Sequence, residues 1–462
     1  MQHILKDSKK REKLIIYINP PYAEAGTTAQ TAGTGSNKAK VATDNATYLR
    51  YKDSMGKASN ELFAQFFFRI YNEIPHCTLA SFSTLKYINS SNFIKFRETF
   101  KARFLGGFVC PAYTFDNVKG QFPIGFLVWN LNKNDKAMQK IITLDAYNEK
   151  NEYMGEKRFY LLKNTKTKRF NEYLQKFDDK QCQKLAILMA DAPDFQNNNH
   201  VAIMTSKTKG HWIFKNITPN NLIPFSVYFS VRHAIKATWL NDRDQFLYPN
   251  SEWEKDSEFQ NDCLAFTLFH GQNRITSRVD STNGGGGGNI NHFIPFSEKE
   301  VGAKEAFASH FMRDFLNGKI KRDCISASET KQSKNKLFSD KDLGLESKNF
   351  IPNKPLTFSK EAQDVFRAGR KIWQYYHQNF EKIPEIHTQH NDDFYRIYNA
   401  NASLYDIKGY FQGFTQSGNK SKMNAKSQDP HYNDLIAELK IALEILAKKI
   451  EPRIYEYGFL LE

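Results

Sequence analysis

The stretch Leu14-Ile15-Ile16-Tyr17-Ile18-Asn19-Pro20-Pro21-Tyr22, close to the amino end of the chain, is an apolar run that ends abruptly in an amide, two prolines and an aromatic ring. Five bulky apolar residues in a row are typical of a central parallel strand that is covered on both faces. The prolines remove backbone donors and end the strand. Ligands of open α/β sheets bind just beyond the carboxyl ends of the strands. The pattern therefore predicts an α/β fold with a site at Asn19, Pro20, Pro21 and Tyr22.

These four residues suit the binding of a planar base that carries an exocyclic amine. The side-chain oxygen of Asn19 and the carbonyl oxygen of Pro20 can each accept one amine hydrogen and so aim the nitrogen lone pair at a methyl donor. The same acceptors stabilise the positive charge that develops on the nitrogen. Tyr22 can stack on a base that has left a duplex. A structural turn is the alternative, because Asn and Pro are common turn residues.

The segments after the tetrapeptide follow a recognisable order. They are a polar loop over 23–57, a predicted helix over 60–71 capped by Ser59, and predicted strands over 78–83, 103–111 and 122–129. This order resembles the N6-adenine DNA methyltransferases, in particular the large type II or IIG enzymes of bacterial restriction-modification systems. The last two strands look like the hairpin that closes the catalytic sheet of that family. The resemblance implies a second base contact from Phe122, and a place in the core is the alternative.

The resemblance also implies S-adenosylmethionine as the methyl donor, bound by a glycine-rich loop after the first strand of the sheet. Only eighteen residues precede Asn19, which leaves no room for such a unit. The glycine clusters at 284–288 and 409–413 do not follow an apolar strand. No cofactor-binding residue can therefore be assigned. We therefore expect the chain to be the carboxyl-terminal portion of a methyltransferase, which is inactive alone and has a separate amino-terminal half as its partner. The alternative is that the chain is a non-catalytic DNA-binding remnant or specificity module.

The charge of the chain favours a polyanionic partner. The formal net charge is +15, with 65 Lys and Arg residues against 50 Asp and Glu residues. Double-stranded DNA is such a partner, and its phosphates would dominate the affinity. The cluster Lys163, Lys166, Lys168 and Arg169 is a candidate for contacts with DNA, although a solvated basic surface is the alternative for any single cluster.

Cysteine usage and hydropathy indicate a reducing compartment. The five cysteines are widely spaced, which favours neither a disulfide framework nor a zinc site, and no metal is expected. We expect Cys77 and Cys110 to be buried thiols. The sequence shows no signal peptide and no apolar run of membrane-spanning length, so a cytoplasmic location without membrane contact is expected.

The length of 462 residues allows two or three domains. We predict the catalytic half of a Rossmann-like methyltransferase sheet over 1–130, a mixed α/β target-recognition or insertion region over 131–330, and a mainly helical region over 331–462. Together the last two regions would recognise DNA.

Four segments of these later regions give specific expectations. The segment 261–273 is predicted to be an apolar strand, and 232–246 resembles a family segment without an assigned chemical role. In that segment His233 and Arg243 are either phosphate contacts or parts of a helix surface and an internal ion pair. Ser359 is predicted to cap a helix over 360–380, and a leucine stripe over 435–446 in a final helix is predicted to pack in the core.

Overall fold

The computed structural model describes residues 2–21, 43–116, 118, 120–132, 138–161, 169–278, 290–320, 350–383, 392–418 and 420–461. Within these ranges the protein is an α/β structure that contains mixed sheets and two hydrophobic cores. The smaller core belongs to residues before 162, and the larger one belongs to residues after 168.

The first unit is built on a six-stranded sheet. Its strands are β1 (Ile15–Ile18), β2 (Thr78–Thr84), β3 (Arg103–Pro111), β4 (Pro123–Asn130), β5 (Ile141–Tyr147) and β6 (Tyr153–Tyr160). Their order is β1-β2-β4-β3-β5-β6; β1, β2, β3 and β5 are parallel to one another, whereas β4 and β6 run antiparallel to them. The strands predicted over 78–83, 103–111 and 122–129 are confirmed to within one residue at each end. Because β5 and β6 belong to this sheet, the predicted boundary at 130 cuts through it.

Helices cover one face of this sheet. They are α3 (Ala46–Met55) and α4 (Leu62–Glu73) between β1 and β2, and α5 (Lys86–Asn89) and α6 (Ile94–Thr99) between β2 and β3; α1 (Gln2–Lys6) and α2 (Ser8–Arg11) precede β1. Large aromatic side chains such as Phe63, Phe67 and Trp129 fill the core between the helices and the sheet. The predicted cap at Ser59 is wrong, because residues 56–60 form a 3-10 turn in which the Ser59 hydroxyl donates to the Gly56 carbonyl at 2.8 Å.

Within the described residues β1 lies at the edge of its sheet, so the predicted central strand covered on both faces is wrong for this part of the chain. Ile16 and Ile18 pack against the core, whereas Ile15 and Tyr17 are 68% and 63% exposed. Among the described residues only β2 pairs with β1. A continuous apolar run shows that both faces of a strand are apolar, but it cannot show whether other elements cover them.

The second unit combines a four-stranded sheet with helices. Its strands are β7 (Ala186–Ala190), β8 (Ala202–Met204), β9 (Ile213–Ile217) and β10 (Asn273–Arg274), in the order β10-β8-β7-β9, and β11 (Phe414–Ser417) and β12 (Lys420–Met423) form a separate hairpin. Its helices are α7 (Phe170–Lys176), α8 (Leu222–Ala234), α9 (Ser257–Phe269), α10 (Glu298–Val301), α11 (Phe311–Leu316), α12 (Lys360–Asn379), α13 (Asp393–Arg396), α14 (Leu404–Gln412) and α15 (Pro430–Glu456). One core extends from Phe170 to Leu460, so the predicted boundary at 330 does not divide the packing.

Some expectations for this unit are confirmed and one is wrong. The predicted strand over 261–273 is wrong, because most of it lies in α9, which is buried nearly all round and therefore lacks the polar face that reveals a helix in a sequence. The hydroxyl of Ser359 accepts from the Ala362 amide and caps α12 as predicted. The leucine stripe of α15 is buried in the core, as predicted; its members are Leu435, Leu439, Leu443 and Leu446. In the first unit, the buried positions of Cys77 and Cys110 are also confirmed.

Candidate functional site at the carboxyl edge of the first sheet

Asn19, Pro20 and Pro21 lie immediately beyond the carboxyl end of β1. Asn19 and Pro21 are exposed, whereas Pro20 is buried between them. The buried ring of Pro20 anchors the turn, and the fixed φ of proline limits how the backbone can move. Asn19 is thus exposed to solvent at the sheet edge, next to a buried proline that holds the backbone in place. Tyr22, the fourth predicted site residue, lies outside the described residues.

Phe122 lies at the same edge, because the antiparallel strand β4 begins where the parallel strands end. It is half-buried, and among the described residues it is not part of either hydrophobic core. Its carbonyl accepts from the Ala112 amide at 2.9 Å, and its ring lies against Gly120, where an added Cβ would come within 2.2 Å of the ring. Gly120 therefore makes the space that the Phe122 ring occupies.

The strand register shows how far apart the two predicted base contacts lie. Ile18 pairs with Ser81, and Ser81 pairs with Leu127, so Asn19 is level with Phe126. Phe122 lies four residues before Phe126, just ahead of β4, which at about 3.3 Å per residue is roughly 13 Å beyond Asn19. Asn19 and Phe122 therefore share the edge but are not neighbours.

The segment 232–246 brings the second unit to this edge. The guanidinium carbon of Arg243 lies 5.9 Å from the centre of the Phe122 ring, and Arg243 also donates to the side chain of Gln196. Its Nε lies 3.1 Å from a carboxylate oxygen of Asp242, which supports the internal ion pair rather than a phosphate contact. Asn89, at the end of α5, donates to the Arg243 carbonyl at 3.0 Å. Sequence reasoning gave this segment no role, because its partners are distant in the chain.

A second polar contact joins the two units close to the first. The ammonium group of Lys157 on β6 lies 2.5 Å from the carboxylate of Asp244. Burial raises the pKa of Asp244, and Lys157 opposes that rise. Burial also raises the pKa of Asp242, to about 6. Both carboxylates are therefore structural partners of basic groups in the joint between the units.

His233 is not placed to bind phosphate. Its Nε2 lies 2.9 Å from the Val201 carbonyl, and its ring stacks on His270 with 4.6 Å between the ring centres. Burial lowers the pKa of His233 to about 3, so the ring is neutral near pH 7. A neutral imidazole that donates to a backbone carbonyl supports packing of α8 and not an electrostatic contact with DNA.

The basic cluster predicted to contact DNA lies largely outside the described residues, which exclude Lys163, Lys166 and Lys168. Arg169 is described and exposed, and its backbone amide donates to the Glu172 carboxylate at 3.1 Å. It directly precedes α7, at the start of the second unit. The contribution of the cluster to DNA binding stays a prediction.

The described glycines do not fit the loop that would hold S-adenosylmethionine. Gly409 lies inside α14, where an added Cβ would come within 2.5 Å of the Tyr395 hydroxyl, and Gly413 ends that helix with a φ of 65°. These two glycines therefore serve helix packing and helix termination. The cluster at 284–288 lies outside the described residues. In the part of the chain that the structure describes, no group of three or more His, Cys, Asp or Glu residues can hold a metal ion.

Two further findings bear on the class of protein. Over the described ranges, no helix has both the length and the apolar character required to cross a membrane. Comparison of the chain with protein-family models, curated proteins and solved structures found no match.

Proposed function

We propose that this chain is the base-binding half of a site-specific DNA methyltransferase that transfers a methyl group from S-adenosylmethionine to adenine N6 within a restriction-modification system. The observation that carries the proposal is the position of Asn19 and Pro20 directly beyond β1, at the carboxyl edge of a largely parallel sheet. Open α/β sheets bind their ligands at this edge. The site therefore combines acceptors for an exocyclic amine with a location suited to a ligand.

The strand order supports the same proposal. The antiparallel strand β4 lies between the parallel strands β2 and β3, and β3 and β4 pair as the hairpin that the resemblance to the methyltransferases implies, although β5 and β6 extend the sheet beyond it. In doubly wound sheets the ligand crevice forms where the direction of winding reverses. If further strands are added to the sheet beyond β1, in the direction away from β2, the direction in which successive strands are added reverses at β1, beside Asn19. β1 then becomes the central strand of a complete sheet.

The chemistry assigned to this chain concerns the methyl acceptor. The lone pair of adenine N6 is delocalised into the ring, so the nitrogen must be held with its lone pair directed at the incoming methyl group. The Asn19 side-chain oxygen and the Pro20 carbonyl oxygen accept the two amine hydrogens in that arrangement. They also stabilise the cationic nitrogen formed as the new N–C bond forms, and one proton then leaves the nitrogen. The burial of Pro20 fixes one of the two acceptors before the base arrives.

The methyl donor is assigned to another polypeptide segment, since the described glycines do not form a cofactor loop. The chain itself contributes its positive charge of +15 to the binding of double-stranded DNA, with Lys163, Lys166, Lys168 and Arg169 as candidate phosphate contacts. Phe122, capped by Arg243 at 5.9 Å, is a candidate surface for the extruded base. We further expect the complex to act in the cytoplasm.

The proposal is tested by methyl transfer from labelled S-adenosylmethionine. The tagged chain is purified from its source cells together with its bound partners and incubated with genomic DNA from a strain that lacks the gene. We expect label in N6-methyladenine, and a loss of about 100-fold or more in Asn19→Ala, comparable to the removal of one stabilising group from an active site. Asn317→Ala, which changes an exposed amide on the second unit, serves as the matched control.

The alternative of a non-catalytic DNA-binding remnant or specificity module makes a different prediction. In that case the preparation binds DNA with strong salt dependence but transfers no methyl group. Labelled cytosine or labelled protein instead of adenine would contradict the proposed substrate.

A further inference from the structure

The face of the first sheet opposite α3 to α6 carries large apolar side chains that stay partly or largely exposed. Ile15 and Tyr17 on β1 are the most exposed of them near the site, and Ile141 and Tyr153 continue this exposure on β5 and β6. Contiguous apolar surface of this kind is rare on monomeric soluble proteins and usually marks an interaction site. We call this surface the open face.

Aromatic rings form a continuous row across the open face. The centre of the Tyr17 ring lies 6.1 Å from that of Phe126, and Phe126 lies 4.9 Å from Phe82 and 5.6 Å from Phe108. The rings are tilted against one another rather than separated, and Phe82 meets Phe108 edge-on. The row is therefore a packed apolar surface against which an apolar protein element can pack.

The charge of the open face is mixed. Asp145 and Glu156 are opposite each other on β5 and β6, Arg158 lies on the same side of β6, and all three are exposed. The exposed residues Lys9, Glu12 and Lys13 lie before the amino end of β1. Their charge is net positive, which favours an acidic polypeptide segment there.

In the described part of the chain, β1 joins the open face to the outer edge of the sheet. Among the described residues its one strand neighbour is β2, so the backbone groups on its other side have no strand partner there. Exposed strand edges accept additional strands through main-chain hydrogen bonds. Because Ile15 and Tyr17 belong to both the edge and the open face, one partner can cover both surfaces.

A second copy of this chain covers only one of these surfaces. A two-fold dimer would pair β1 with its own copy in antiparallel orientation, about an axis perpendicular to the sheet. Both open faces would then lie on the same side of the extended sheet and remain exposed. A partner strand that runs parallel to β1 gives a different result. If the partner chain continues from that strand to a further strand away from β1, the connection between the two is right-handed. The helix in this connection then lies on the face opposite α3 and α4. That face is the open face.

We propose that β1 and the adjoining part of the open face, formed by Ile15, Tyr17, Phe82 and Phe126, dock an α/β polypeptide that adds a strand parallel to β1 and packs the apolar side of a helix on the aromatic row. Acidic residues near the amino end of the added strand face Lys9 and Lys13. The identification of this polypeptide with the donor-binding half rests on the proposed function, whereas the docking geometry does not.

The test uses photo-crosslinking from defined positions of the full chain in its source cells. The photoreactive residue p-benzoylphenylalanine replaces Ile15 or Tyr17, and it replaces Ile445, a 51% exposed residue of α15, as the control. We expect both β1 positions to cross-link to one segment of one polypeptide. Because the strands are parallel, the residue captured from position 17 follows the one captured from position 15 in the partner sequence.

Three outcomes would overturn the docking proposal. The first is a cross-link to residues 14–19 of a second copy in reversed order, which would show a symmetric dimer. The second is a cross-link to nucleic acid, and the third is a yield at Ile15 and Tyr17 no higher than at Ile445. A partner that cross-links in ascending order but does not bind S-adenosylmethionine would leave the docking geometry in place and contradict the proposed function instead.

A surface variant adds an independent measurement. Tyr17→Asp introduces a charge at the centre of the proposed interface and is expected to lower the cross-link yield from position 15 about tenfold or more, as the loss of one large buried apolar side chain predicts. Ile445→Asp places the same charge on α15 and is expected to leave that yield unchanged. An equal effect of both variants would show that general destabilisation, and not docking, controls the cross-link.

Discussion

Arg232→Met is expected to destabilise the second unit strongly, because Arg232 on α8 is fully buried and makes several hydrogen bonds. Its Nε donates to Asn198 at 2.7 Å, one terminal nitrogen donates to Tyr228 at 3.1 Å, and the other donates to the carbonyls of Ala192 and Asp194, each at 3.0 Å. Methionine keeps much of the length of the side chain but removes every donor. The acceptors would then lose these four hydrogen bonds, and among the described residues only the Ala192 and Asp194 carbonyls keep a backbone donor, the amides of Asp194 and Asn197.

The size of the effect follows from these contacts. Each buried acceptor that loses its donor costs about 1–3 kcal/mol. The removal of a buried cation returns part of that cost, because its desolvation penalty disappears, so we expect a net loss of about 3–5 kcal/mol, the range for breaking a buried charged network. With a urea dependence of about 3 kcal/mol per molar for a unit of this size, the unfolding midpoint falls by roughly 1 M or more.

The assay is urea unfolding followed by the fluorescence of Trp253 and Trp373, which are buried in the same core as Arg232. Arg243→Met provides the control on the same segment, because the Arg243 side chain is 22% exposed and, among the described residues, makes one ion pair, one hydrogen bond to the Gln196 side chain and a contact with the Phe122 ring. We expect that control to lose less than about 1 kcal/mol. A loss below about 1 kcal/mol in Arg232→Met would refute the view that the buried hydrogen bonds of this arginine stabilise the second unit.

Three further predictions concern acid stability, packing and DNA binding. Burial lowers the pKa of His233 to about 3 and also lowers the pKa of His270. Both rings stay neutral in the folded protein, so their contribution to stability is complete above about pH 6.5 and is lost as the pH falls towards 3. The urea midpoint should therefore fall between pH 7 and pH 4, and it should fall less in His270→Phe. Gly369→Ala should cost about 1–3 kcal/mol in urea unfolding, because its Cβ would lie 2.1 Å from the Phe269 ring, whereas Gly271→Ala, with no atom within 4 Å, should cost little. The logarithm of the DNA association constant should fall linearly with the logarithm of the salt concentration in filter-binding or anisotropy titrations, and a flat dependence would contradict a phosphate-dominated interface.

Sequence patterns predicted the local structure of the first unit well. The runs over 78–83 and 103–111 contain enough bulky or β-branched residues to specify strands without knowledge of their neighbours. The cap at Ser359 and the leucine stripe of α15 are also local, since they depend on residues three or four positions apart. Such features need no information about the rest of the fold.

Features that depend on distant partners were not predicted. The apolar run at β1 predicts a strand but not its place at the edge, because the presence of a neighbour is a property of the assembled sheet. α9 was mistaken for a strand because burial on nearly all sides removes the helical period from its sequence. The contact of Arg243 with Phe122 joins residues far apart in the chain, and neither residue type signals the other.

The central claim is that Asn19, at the carboxyl end of β1, holds adenine N6 for methylation. It is tested most directly by the fraction of methylated adenines at each sequence context in genomic DNA, read by methylation-sensitive sequencing of cells with and without the gene. We expect one sequence context to lose N6-methyladenine on deletion, to regain it with the wild-type gene, and to remain unmethylated with Asn19→Ala. Full methylation restored by Asn19→Ala, or an unchanged pattern after deletion, would contradict the claim.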